Sequence, residues 1–341
     1  MGKVTVGGVE FVDILHVPME RRLQTLAALG AFLSFAFGGA SAIVFLVYLL
    51  FTRFWWVTML YMVWYIYDWD ASSRGGHRLE WVRRLKSNRY LRDFFPVTLI
   101  KTAELSPENN YIFGYHPHGV MSMGGFVNFS TEATGFSEKF PGIRPYLLTL
   151  KLLHQFPMYR EWLTLFGICD VSRQSIDYIL KGKGNAVIIV IGGAKESMDA
   201  NPGEATIVLK NRKGFVKMAL RHGAHLVPVY SFGENDIYYL VLKNGPGSKT
   251  RLFQRWWQKL FGFAPILFAG RGIFNYNIGL VPYRVPINTV VGKPIPVEKD
   301  ANPSQEKIDA LHETYMSELE KLFNEHKAHF GYKELSIKFV E

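Results

Sequence analysis

Apolar residues crowd the first fifth of the chain and give way to shorter, periodic patterns after it. Residues 23–52 are thirty consecutive positions without a charge, and 29–50 are strongly apolar throughout. At about 1.5 Å of rise per residue, such a helix can cross a hydrocarbon core of about 30 Å. Arg53 interrupts, and residues 54–67 give a second uncharged run of fourteen. As a helix that run reaches only roughly 21 Å, short for a full crossing. The pattern therefore predicts a membrane hairpin and leaves two readings open for its second arm, a full crossing or a dip partway into one leaflet.

Past Asp68 the pattern is that of an α/β domain. Runs rich in Val, Ile or Tyr and closed by Gly or Pro predict strands at 111–115, 186–191, 225–231 and 287–291. Between the second and third of these, Phe215, Met218, Ala219 and His222 share one face of a helix predicted over 213–222, with Gly223 at its stop. A last helix is predicted to start with Asn302 as cap and Pro303 in the first turn. Its apolar stripe is Ile308, Leu311, Tyr315, Leu319, Leu322 and Phe323, and it is expected to run as far as about His329. The chain thus divides into an N-terminal segment (1–22), a hairpin (23–68) and one large domain (69–341).

Composition narrows the partners. A single cysteine, Cys169, excludes an intramolecular disulfide framework and a four-cysteine zinc site, and fits a reducing, cytosol-facing chain. The formal charge of +10 implies anionic partners: nucleic acid, phospholipid headgroups or a phosphate-bearing substrate. Nucleic acid fits worst, since the basic residues are scattered, no binding module is recognisable and a membrane hairpin precedes them. Arg21 and Arg22 precede the hairpin, and Arg74, Arg78, Arg83, Arg84 and Lys86 follow it. Only Arg53 lies between, so both ends are expected on the cytosolic side. That orientation leaves the Asn128-Phe129-Ser130 sequon unglycosylated.

Three stretches carry candidate chemistry. His116-Pro117-His118-Gly119 closes a predicted strand, where an imidazole of near-neutral pKa suits removal of a proton from an alcohol. A structural role in the turn and a metal site, with His154 or Glu196 as a third ligand, compete with that reading. Ile191-Gly192-Gly193-Ala194-Lys195-Glu196-Ser197 runs a hydrophobic strand into two glycines, whose N–H groups can approach a ligand closely; Glu196 can orient a histidine or sit solvated at a helix start. Arg212 and Lys213 precede a helix start, with Arg221 on the helix itself, a grip for phosphate or a solvated basic face. No G-x-S-x-G elbow, P-loop or G-x-G-x-x-G fingerprint is present, and Cys169 reads as a small buried hydrophobe. Direct attack by a substrate hydroxyl needs no protein nucleophile.

Taken together these stretches resemble the type-2 diacylglycerol acyltransferase family, which includes the monoacylglycerol and wax-alcohol acyltransferases. The matching pieces run almost end to end: W-Y-I-Y-D-W-D closing the hairpin, R-D-F-F-P from Arg92, Y-H-P-H-G, N-F-S-T-E from Asn128, F-P-G-I-R-P from Phe140 and G-G-A-K-E-S. R-K-G-F-V-K, L-V-P-V-Y-S-F-G-E-N, G-R-G and V-V-G-K-P-I follow in the family's order. The resemblance implies an N-terminal membrane hairpin followed by a glycerolipid-acyltransferase-like mixed sheet with flanking helices. It also implies acyl transfer from fatty acyl-CoA, a co-substrate rather than a cofactor, to an acylglycerol hydroxyl on the endoplasmic reticulum membrane and its lipid droplets.

The family's catalytic motif falls on His116 and His118, and its glutamate on Glu196, expected here as partner of the imidazole. Gly119, Gly192 and Gly193 would support an oxyanion, Arg212, Lys213 and Arg221 the coenzyme A phosphates, and no metal or other cofactor is implied. Phe94-Phe95-Pro96 stands where the family has Tyr-Phe-Pro, so a hydroxyl is missing. Stretches near Val9, Pro18 and Phe274 look most like intestinal-type monoacylglycerol acyltransferases, while residues 171–178 look closer to diacylglycerol and wax-alcohol members. The favoured reaction is therefore acylation of 2-monoacylglycerol to diacylglycerol, with triacylglycerol or wax-ester synthesis as the alternative. A non-catalytic membrane lipid-binding protein is the alternative of a different class. A homo-oligomer is compatible with every one of these.

Overall fold

The structure, a computed structural model, describes residues 3–6, 8–12, 16–242, 245 and 247–341. Helix α1 (Met19–Leu50) and helix α2 (Trp55–Tyr67) form the expected hairpin. Helix α1 starts at Met19, ahead of the uncharged run, because Pro18 holds an extended cap and the helix then continues through Arg21 and Arg22. Its 32 residues span about 48 Å, whereas the 13 of α2 span about 20 Å. Among the described residues α1 is the one helix long and apolar enough to cross a membrane. The turn is made by Thr52, whose hydroxyl donates to the Leu49 carbonyl at 2.9 Å and accepts from the Phe54 N–H at 3.1 Å. Thr58 Oγ1 then donates to the Leu46 carbonyl at 3.1 Å, laying α2 back along α1.

The body is built on one mixed sheet of seven strands. In chain order these are β1 (Thr98–Lys101), β2 (Tyr111–His116), β3 (Arg144–Thr149), β4 (Cys169–Asp170), β5 (Asn185–Val190), β6 (His225–Phe232) and β7 (Asn288–Val291). Across the sheet the order is β1-β7-β6-β2-β5-β3-β4. All pairings are parallel except β7 with β6. The four strands expected from hydrophobic pattern are β2, β5, β6 and β7, which sit in the sheet interior. The three not expected are short or carry a proline, and two of them are the edges, where one neighbour supplies all the pairing.

Both faces of the sheet are buried. Along β2, Ile112 points into one core with Val187 and Leu226, while Tyr111, Phe113 and Tyr115 point into the other with Ile188 and Val227. Helix α3 (Gly214–His222) ends where Gly223 adopts φ 64°, as expected, and places Phe215, Met218 and Ala219 in the first core. Helix α4 (Lys249–Phe261) follows β6, and helix α5 (Gln305–His326) closes the first core.

Two expectations for α5 are corrected. Its cap is Ser304, whose side chain accepts from the Lys307 N–H at 3.3 Å, rather than Asn302. Pro303 therefore lies outside the helix, which stops at His326. The expected stripe is buried at Ile308, Tyr315, Leu319, Leu322 and Phe323. Asn128 is fully buried and donates to Thr289 Oγ1 at 2.8 Å, so the sequon is closed by packing whatever the orientation.

Candidate active site

The carboxyl ends of β2, β5 and β6 lie side by side, with Tyr115 opposite Val190 and His116 opposite Tyr230. Parallel neighbours release their chains at the same end, which is where ligands bind in open α/β sheets. Thus Pro117-His118-Gly119, Ile191-Gly192-Gly193 and Gly233-Glu234, remote in sequence, become adjacent loops.

The two histidines part company here. The His116 side chain is fully buried beneath the loops, its Nε2 3.1 Å from the Tyr315 hydroxyl. That hydroxyl also donates to the Gly114 carbonyl at 3.1 Å, so His116 Nε2 carries the proton toward it. Burial pushes the His116 pKa down to about 3, holding the ring neutral. Gly114 is required for this contact, since an added Cβ would collide with the Tyr315 hydroxyl. His118, two residues on, lines a cavity of about 1620 Å³. Its Nδ1 is 2.8 Å from Ser197 Oγ and 3.1 Å from the Gly119 carbonyl. A carbonyl can only accept, so Nδ1 is the protonated nitrogen and Nε2 is left with a free lone pair. Burial lowers the His118 pKa, so the lone pair is available at neutral pH.

The expected contact between Glu196 and an imidazole is not formed. Glu196 accepts instead from the backbone N–H of His118 at 2.5 Å and of Val208 at 2.8 Å, pinning the histidine loop to the neighbouring strand Thr206–Val208. Burial pushes its carboxyl up to about 7, against the pull of those two donors. Gly192 makes room for it, because a Cβ there would overlap the carboxylate. The imidazole's partner is Ser197, the last residue of G-G-A-K-E-S, which the sequence argument passed over.

A second carboxylate was missed altogether. Glu234 is fully buried and accepts from the Tyr115 hydroxyl at 2.7 Å, the Met123 N–H at 2.6 Å and the Gly124 N–H at 2.9 Å. Its carboxyl is also pushed up to about 7 by burial. It stands inside the stretch L-V-P-V-Y-S-F-G-E-N, and that position was the only available signal.

The cavity gathers His118, Gly193, Ser197, Arg212, Lys213 and Arg221. Gly193 and Ala194 open the short helix Gly193–Ser197, so their N–H groups lack intrahelical partners, and both residues line this cavity. Arg173 and Lys217, not anticipated, extend the basic mouth, where Lys213 is ion-paired to Asp309 at 2.8 Å. Part of the lining is apolar and comes from α1, including Leu26, Ala27, Gly30 and Ala31.

His116, Pro117, Gly119, Gly192 and Glu196 support the site from behind without lining the cavity. Phe94 and Phe95, an edge-to-face pair at 4.8 Å, are buried with Val97 and Ile287 under α1, and Pro96 follows them away from the cavity. His154 faces the carbonyls of Leu150 and Ile168, remote from the other histidines' partners. Burial pushes the Cys169 thiol up to about 12, which makes it inert.

Comparison with known proteins identifies the family. The profile of the diacylglycerol acyltransferase family matches residues 47–339. Human diacylglycerol O-acyltransferase 2 is 51% identical over 322 residues, covering 94% of this chain and 83% of that protein. Bovine 2-acylglycerol O-acyltransferase 1 is 49% identical over 328 residues, covering 96% and 97%; the human protein of that name is 46% identical over the same length. Among solved structures, the 1-acyl-sn-glycerophosphate acyltransferase PlsC of Thermotoga maritima overlaps 89% of this chain and 95% of its own, at 12% identity and a TM-score of only 0.38, too loose an overlap to carry weight. On the family profile and these relatives, the chain belongs to the diacylglycerol acyltransferase family.

Proposed function

We propose that this chain transfers a fatty acyl group from acyl-CoA to a hydroxyl of 2-monoacylglycerol, releasing diacylglycerol and CoA. The observation that carries the reading is a single cavity whose lining joins basic side chains, the neutral imidazole of His118 and apolar residues of the N-terminal helix. His118 Nε2 takes the proton as the acceptor oxygen attacks the thioester carbonyl. The N–H groups of Gly193 and Ala194 hold the oxyanion, and its collapse expels the thiolate, which takes the proton back from the imidazolium. Ser197 and the Gly119 carbonyl keep the proton on Nδ1, while Glu196 and Glu234 fix the loop. Arg173, Arg212 and Arg221 hold the coenzyme A phosphates in water, and acyl chains stay along α1. The site would work at the cytosolic face of the endoplasmic reticulum, with both termini cytosolic and lipid droplets as a second location.

A second acceptor has its own support. Human diacylglycerol O-acyltransferase 2 is more similar to this chain than human 2-acylglycerol O-acyltransferase 1, 51% against 46%. Membranes containing the protein, given labelled oleoyl-CoA with 2-monoacylglycerol, diacylglycerol or a long-chain alcohol, separate these readings. Label entering diacylglycerol from the first acceptor, and lost in His118→Ala, is the expected result. Label preferring triacylglycerol or wax ester replaces the acceptor, and none in any lane returns the chain to lipid binding without catalysis.

A further inference from the structure

Helix α4 is folded inside out. The residues it buries are polar: Arg251 is 6% exposed and ion-paired to Asp199, and Gln254 is 3% exposed and donates to the Pro265 carbonyl at 3.0 Å. The residues it turns outward are apolar: Leu252, Phe253, Trp256 and Leu260 are 51–59% exposed. Their spacing puts all four on one stripe of the helix. Arg255 and Lys259, both exposed, border that stripe. The apolar surface continues past the helix through Phe263 and Leu267. A contiguous apolar patch of this kind on a water-facing helix is unfavourable and marks a docking face.

Two observations say what covers it. The segment that follows the patch packs on the membrane helix: the Phe268 ring lies 6.1 Å from that of the buried Phe32 in α1, and α1 lines the same cavity as residues 262–266. The cations beside the stripe complement anionic headgroups, the arrangement of a helix lying in a bilayer interface. We infer that α4 lies in the boundary between headgroups and acyl chains of an anionic phospholipid leaflet, seating residues 262–266, one rim of the cavity, against lipid. The cavity then opens sideways into the leaflet between that rim and α1, so a lipid substrate enters without crossing water. The lipid contact rests on this geometry and not on the acyl-transfer reading.

The buried, unreactive Cys169 makes the test clean, because Trp256→Cys adds one reactive thiol for an environment-sensitive fluorophore. Full-length protein is labelled in vesicles of phosphatidylcholine with phosphatidylserine, and Glu320→Cys on α5 serves as the water-facing control. At position 256, quenching by acyl-chain-brominated phosphatidylcholine and protection from aqueous iodide are expected, with the reverse at 320. Omitting phosphatidylserine, or adding Arg255→Glu and Lys259→Glu, should reduce the bromine quenching at 256. Leu260→Cys supplies the same reading if Trp256→Cys fails to fold. Iodide quenching at 256 equal to that at 320 overturns the inference. So does protection from both quenchers, which would mean that a second copy of the chain covers the stripe. Bromine quenching indifferent to phosphatidylserine overturns the anionic leaflet. Because turnover is not read, a failed acyltransferase assay leaves these outcomes intact.

Discussion

The loops at the carboxyl end of the sheet and the outer face of α4 break the same rule in opposite directions. Folded chains ordinarily bury apolar groups and expose charged ones. The loops bury two carboxyls and an imidazole, Glu196, Glu234 and His116, completely or nearly so; α4 exposes two aromatic rings and two leucines. The first inversion is tolerated because both carboxylates meet several N–H or O–H donors. Among the described residues nothing covers the second, and the leaflet inferred above would do so. A buried polar group that is satisfied holds a loop still, whereas an exposed apolar stripe awaits a surface.

The sharpest way to break the comparison is at the histidines, since only one of them faces the cavity. His118→Ala should lower kcat by about 10²–10⁴-fold, the range for losing a general base, with membrane insertion unchanged. His116→Ala should instead lower the unfolding temperature and reduce the rate per folded molecule far less. Similar rate losses in the two variants would mean that burial has not divided their roles. Glu234→Ala comes next: it leaves the Met123 and Gly124 N–H groups without their acceptor, at about 1–3 kcal/mol for each buried donor. Thermal unfolding in detergent should show the loss, and an unchanged midpoint would remove Glu234 from the support of the loop.

How much of this was legible in the sequence differs between the two regions. His118, Gly193 and the arginines could be picked out because their residue types carry chemistry in short clusters. That β2 and β5 are neighbours, and so bring those clusters together, is a property of strand order, which the linear pattern does not contain. Glu234 was hidden because a lone carboxylate after a strand looks the same whether it is solvated or accepts three hydrogen bonds. In α4 the amphipathic spacing stands in plain view, K-T-R-L-F-Q-R-W-W-Q-K-L-F, yet periodicity tells which residues share a face and not which face turns outward. The missed cap at Ser304 is a local matter, since Asn302 and Ser304 are both good cap residues and the residue type alone does not choose between them.

The comparison is sharpened by pH. Glu234 carries a folded pKa of about 7 against an ordinary 4.5, so the folded state keeps a proton that the unfolded chain has lost. Its contribution is full below about pH 4.5 and lost as pH rises through about 7. The difference in unfolding temperature between wild type and Glu234→Gln should therefore shrink from pH 5 to pH 8, by the linkage of folding to protonation at about that carboxyl's range. A difference that does not shrink would show the carboxyl charged throughout. The lowered His118 pKa makes a separate claim: the acid limb of kcat/KM should lie below the ordinary 6.5.

The smallest effect is expected at the basic mouth, where solvent screens each charge. Among the described residues Arg221 makes no ion pair, while Lys213 is partly neutralised by Asp309. Replacing Arg221 by Ala should raise the KM for acyl-CoA about three- to tenfold with kcat unchanged, the range of one modest phosphate contact. Lys213→Ala should do less, because its ammonium is already held by Asp309 at 2.8 Å and offers less to a phosphate. Added salt should shrink the Arg221 effect, since an exposed charge is screened within about 10 Å at 0.1 M. It should also weaken the share of the bromine quenching at position 256 that Arg255 and Lys259 contribute through anionic headgroups, and leave the share that comes from apolar burial. A KM effect that survives high salt would place Arg221 in a dry, structural contact, and would move it from the water-facing mouth to the satisfied interior with which α4 was contrasted.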